Sequence, residues 1–204
     1  MKMPTSARWM TDDEWAIVTG VFNSGNLPFK IRIFVTNGLG ADDAPFTIPT
    51  SLISTVGLTA LGAIGGPAGA ALGAAVGTIA SVINAAYLMN VGPNGYDLGS
   101  DGKGMATGDK KRELLVHETA HVWQGKNSKL ALSYVYGSAL AQCKGIFSGA
   151  SRNAAYRAEP GGDWGNYNPE QQASLIERWF NAGEHGEGPI WPYIRDYVRK
   201  GRTA

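Results

Sequence analysis

The chain has 204 residues, a formal net charge of +1 and a single cysteine, Cys143, with a pI near 7.8. That length suits one domain with a sizeable core. The near-neutral charge argues against a nucleic-acid partner, and a lone thiol cannot form an intramolecular disulfide.

In chain order, the N-terminus turns acidic at Asp12, Asp13 and Glu14 before any apolar stretch develops. No secretory signal is expected, which leaves the protein in the cytoplasm or exported by a route that does not read one. Thr11-Asp12-Asp13-Glu14 has the form of a capping box, and Trp15, Val18 and Phe22 follow at helical spacing, so a first helix is expected over 11–22. Lys30 to Thr36 alternates with β-branched residues and stops at Asn37-Gly38, which reads as a strand. Phe46-Thr47-Ile48, between Pro45 and Pro49, is a second short strand, and Tyr87 to Val91, stopped by Gly92-Pro93, a third.

Between the second and third strands the composition changes. No charged residue occurs from Ala44 to Tyr96, and Gly65, Gly69, Gly73 and Gly77 repeat every four residues, with Ser81 and Ala85 in the same register. One helix face is then built of small residues, and such faces let helices approach closely. Gly66-Pro67 supplies a turn, so residues 51–86 read as an inserted helical hairpin that packs in the soluble protein or against a partner. Membrane contact through 51–86 is the competing reading, opposed by a short first arm and the absence of aromatic or basic anchors.

A polar, glycine-rich loop over 96–104 leads to a helix that starts at Thr107 or Asp109, runs through Lys110 to Gln124 and stops near Gly125. It contains His117-Glu118-Thr119-Ala120-His121, the pattern H-E-x-x-H, and so holds two of the three histidines in the chain. Residues four apart on a helix share a face, so His117 and His121 can converge on one metal ion. Neutral imidazole suits Zn²⁺, and Glu118, a carboxylate off the metal, can accept a proton from water. The plainer alternative is a pair of core histidines on an amphipathic helix. Beyond it, Lys129 to Cys143 reads as a further helix.

Two histidines do not complete a catalytic zinc site. Gln124 and Asn127 stand where the metzincin pattern needs glycine and histidine, so a third ligand must come from further along. Asn168-Pro169-Glu170-Gln171-Gln172-Ala173 opens another helix, with asparagine as N-cap and proline at the first position. Glu170 and Glu177, seven residues apart on one face, are both eligible ligands; Glu159, Asp163 and His185 are further candidates.

The run His117-Glu118-Thr119-Ala120-His121-Val122-Trp123-Gln124, with Tyr156-Arg157 and Tyr167-Asn168-Pro169-Glu170-Gln171-Gln172-Ala173, resembles a bacterial family of gluzincin-like zinc metallopeptidase domains associated with contractile secretion and injection systems. The resemblance covers about residues 29–50 and 86–200 and leaves the glycine-rich stretch unmatched, in keeping with an insertion. It implies an α+β, zincin-like single domain, with a small sheet on the motif helix and a helical C-terminal half. It also implies Zn²⁺ held by His117, His121 and Glu170, with Glu118 as the base of a peptidase. Gln124 is expected to support the ligands and Trp123 to pack beneath them, and Tyr156 is a candidate transition-state stabiliser. By analogy the protein is an effector or toxin delivered by a type VI-like machine, acting on a protein or peptide, with an immunity protein or a secretion-system carrier as partner. The rival reading is a membrane-active or structural protein whose metal only staples the fold.

Overall fold

A computed structural model describes residues 6–37, 45–51, 85–92, 96, 110–128 and 156–204. Apart from its ends, the hairpin expected over 51–86 lies outside the described residues, as does the helix expected over Lys129–Cys143. Among the described residues, no helix is long and apolar enough to cross a membrane.

The fold is mixed α+β, with a small sheet of four strands: β1 (Ala7–Trp9), β2 (Ile33–Thr36), β3 (Phe46–Pro49) and β4 (Tyr87–Asn90). Their order in space is β1-β2-β4-β3. β1 runs antiparallel to β2, β2 parallel to β4 and β3 antiparallel to β4, with Ile33 opposite Tyr87 and Thr47 opposite Met89. A parallel pair needs a crossover, and here the chain between β2 and β4 carries both β3 and the glycine-rich stretch. β3 therefore forms one edge of the sheet, and all four residues of the inner strand β4 are buried.

Two sequence expectations shift here. The strand expected from Lys30 begins at Ile33, because Lys30–Arg32 forms a 3₁₀ turn. β1 was not anticipated, since three residues are too few to show a periodicity. It is held by the cap of the helix that follows, α1 (Asp12–Phe22). Thr11 and Glu14 form the reciprocal capping box, and the same Glu14 carboxylate receives both Arg8 guanidinium nitrogens, at 2.6 and 2.9 Å. One buried carboxylate thus caps the start of α1 and pins β1 beside it.

Among the described residues the remaining helices are α2 (Lys110–Asn127), α3 (Pro169–Asn181) and α4 (Trp191–Asp196), the last followed by a 3₁₀ turn at Val198–Lys200. Among the described residues α2 is the most enclosed helix, packed by α1, β3 and α3. Every residue from Leu115 to Gly125 is buried. The core joins Val18 and Phe22 of α1, Ile33 and Val35 of β2, Val116 and Trp123 of α2, and Ile176 and Phe180 of α3. A helix buried all round is normally apolar all round, yet this stretch carries His117, Glu118, Thr119, His121 and Gln124. Each buried polar group of this kind costs free energy unless it is partnered.

Candidate metal centre

His117 and His121 lie one turn apart on α2, with ring centroids 5.3 Å apart, and are 8% and 5% exposed. Glu170 enters from α3. Asn168 caps that helix by accepting from Gln171 N–H, the Gln171 side chain answers by accepting from Asn168 N–H, and Pro169 takes the first position. This fixes the first turn, and Glu170 comes to lie on the buried face of α3 with Ala173, Ile176 and Trp179. Its Oε2 is 3.3 Å from Nε2 of His117 and 3.3 Å from Nε2 of His121.

The far sides of the two rings are also engaged. Nδ1 of His117 is 2.8 Å from Oε2 of Glu177, two turns along α3 from Glu170. α3 therefore grips one imidazole at both nitrogens with two carboxylates, as their seven-residue spacing allows. Nδ1 of His121 is 2.9 Å from Oε1 of Gln124. The amide orientation of Gln124 follows from its other contacts, because its Nε2 donates to the Pro169 carbonyl at 2.9 Å and to Gln172 Oε1 at 3.1 Å. Its Oε1 must then accept, so His121 carries a proton on Nδ1. Gln172 is held in turn, donating to the Trp164 and Thr203 carbonyls.

With Nδ1–H of both histidines donated outward, both Nε2 atoms point at one carboxylate oxygen. Three lone-pair donors converging within 4.8 Å of one another are a set that could hold a metal ion. Without a cation, protons must fill the gap. Burial opposes charge on His117, but hydrogen bonds to Glu170 and Glu177 and the charges of Glu118 and Glu177 outweigh it and raise its pKa to about 10. Burial likewise opposes charge on His121, and the Glu170 charge and hydrogen bond, with Glu118, more than offset it, so its pKa is raised too. The donor chemistry fits a divalent ion such as Zn²⁺, for which nitrogen and carboxylate oxygen are ordinary ligands.

Glu118 is 3% exposed and sits beside this group without belonging to it. Burial is the main cause raising its pKa; His121, His117 and a hydrogen bond from Thr47 pull the other way. That bond, Thr47 Oγ1 to Glu118 Oε2 at 2.8 Å, reaches from edge strand β3 to α2.

The structure brings His117, His121, Glu118, Glu170 and Gln124 together. Glu177, a rival ligand by sequence, instead contacts the outer nitrogen of His117, while Tyr156 packs against the same ring with centroids 5.9 Å apart. Trp123 is fully buried below, its Nε1–H donating to the Val198 carbonyl. Glu159 is exposed and 3.9 Å from Arg178, Asp163 is exposed before the Trp164–Asn166 turn, and the exposed His185 accepts from Trp179 Nε1–H through its backbone carbonyl. None of these three belongs to the metal-capable group. Sequence reasoning missed Thr47 and Gln172. A threonine in a short strand carries no signal of its own, and Gln172 stood inside the E-Q-Q-A motif without an assigned role. No family model matches the chain, and neither a curated protein nor a solved structure matches it.

Proposed function

We propose that the protein is a zinc-dependent peptidase with a zincin-like fold, in which His117, His121 and Glu170 hold the metal and Glu118 is the general base. The observation that carries this reading is the pairing of a converging donor set with an adjacent carboxylate outside it: three acceptors face one point, and Glu118 lies beside them, buried and with a raised pKa. A raised carboxylate pKa suits a group that must accept a proton and then release it near neutrality.

Bound zinc would supply Lewis-acid polarisation of the scissile carbonyl and lower the pKa of water there. Glu118 accepts a proton from the attacking water and passes it to the departing amine. Glu177 and Gln124 hold the two rings by their Nδ1–H groups, so that both Nε2 atoms stay turned inward. The substrate class is a protein or peptide, and delivery by a contractile secretion machine belongs to the proposal through the motif resemblance.

The test is metal content and protein hydrolysis for the parent and Glu118→Gln. Retained zinc with loss of hydrolysis by about 10²-fold or more is expected, in line with the usual contribution of a general base. Equal hydrolysis by both proteins sinks the mechanism. Zinc retained by a parent that cleaves no protein points instead to a metal that only staples α2 to α3.

A further inference from the structure

We propose that Thr47 is a positioning residue for Glu118, holding one carboxylate oxygen so that the other is presented to the reacting water; this rests on the peptidase reading above.

Position 47 is a buried strand position opposite Met89, where valine would fill the same space without a hydroxyl to satisfy. Threonine is found there instead, and its Oγ1 donates to Glu118 Oε2 at 2.8 Å, across seventy-one positions of sequence. Among the described residues Glu118 Oε1 takes part in no hydrogen bond, so the two oxygens of one carboxylate are differently placed: one fixed by the sheet, one open to act.

The neighbours of Glu118 explain why a separate clamp is useful. His117 and His121 are each gripped at Nδ1, by Glu177 and Gln124, whereas Glu118 receives nothing from α3. A glutamate side chain has three rotatable bonds, and a base that wanders by an ångström loses much of its effectiveness. Threonine is well suited to fix it, since β-branching restricts its own χ1 on the strand. The sheet thus steadies the base, while Glu177 of α3 and Gln124 of α2, itself bonded to α3, steady the ligands. One metal site is assembled from two independent supports.

Three variants separate positioning from simple space-filling: Thr47→Val, which keeps the shape and removes the donor, Thr47→Ser, which keeps the donor, and Thr47→Ala, a second donor-free form should valine fail to fold. Crystal structures with and without zinc report where the Glu118 carboxylate lies, chelator competition reports zinc affinity, and fluorescent casein is the substrate probe. In Thr47→Val the carboxylate is expected to leave its place while zinc affinity stays within about twofold. The kcat on casein is expected to fall roughly tenfold with KM unchanged, and Thr47→Ser to restore both carboxylate and kcat. An unmoved Glu118 carboxylate in the valine or alanine form overturns the proposal, as does a serine form that behaves like valine. A parent that fails to cleave casein counts against the peptidase reading, and the crystallographic comparison still decides the role of Thr47.

Discussion

Replacing Glu177 by glutamine tests whether the grip of α3 on His117 sets metal affinity. Glu177 Oε2 lies 2.8 Å from Nδ1 of His117, and its side chain is 33% exposed. Glutamine can still accept the Nδ1–H through its amide oxygen, so the substitution removes the negative charge and little else. Removing an outer partner of a ligating histidine typically weakens metal binding by about 10- to 100-fold. Partial exposure and the retained acceptor place this variant at the lower end, about tenfold, which corresponds to about 1.4 kcal/mol. Glu177→Leu, which removes the acceptor as well, moves further along that range. Zinc titration against a chromophoric chelator at fixed pH and salt measures both. Binding by Glu177→Gln and Glu177→Leu within twofold of the parent refutes the idea that the outer hydrogen bond tunes His117.

Other consequences can be checked alongside it. Gln124→Leu strips the acceptor from His121 Nδ1–H and leaves Gln172 Oε1 without its donor, so zinc affinity should fall about 10- to 100-fold, more than for Glu177→Gln; equal losses would mean that burial of the outer partner does not matter. In the metal-free protein the folded pKa of His117, about 10, lies above its ordinary value of 6.5, so its protonation contributes stability that is full below 6.5 and is lost as the pH rises through 10. Thermal melts in chelator should show a falling Tm between pH 6.5 and 10, and zinc, which replaces that proton, should flatten the trend; a Tm that rises over this window contradicts the sign. Asn168→Ala removes the N-cap of α3, which costs about 1 kcal/mol and lowers Tm by roughly 2–4 °C. Because Glu170 stands only two residues into that helix, zinc affinity should fall with it, and an unchanged affinity would show that the first turn holds without its cap.

The polar residues of α2 are ordered by what surrounds them. His117, His121 and Gln124 all look toward α3, and Glu118 looks toward β3. The stretch from Leu115 to Gly125 has no solvent face to absorb polar side chains, and these four are matched by partners on neighbouring elements. Such matching makes the core here a set of specified pairs, less tolerant of exchange than an apolar one.

Much of this was legible locally. The capping boxes Thr11–Glu14 and Asn168–Gln171 announce α1 and α3, because a cap is a contact between residues three apart. The spacing of His117 and His121 fixes their common face for the same reason, since helical periodicity is a local geometry. Sequence alone also put Glu170 and Glu177 on one face, but left open which would meet the ligand side of a histidine. Only the packing of α3 on α2 decided that Glu170 reaches both Nε2 atoms and Glu177 the opposite side of one ring, because that choice depends on the offset of two helices. The place of β1 and the bond from Thr47 to Glu118 were tertiary decisions too. Each joins residues whose separation along the chain leaves no periodic trace, so their meeting is determined by how sheet and helices close around α2.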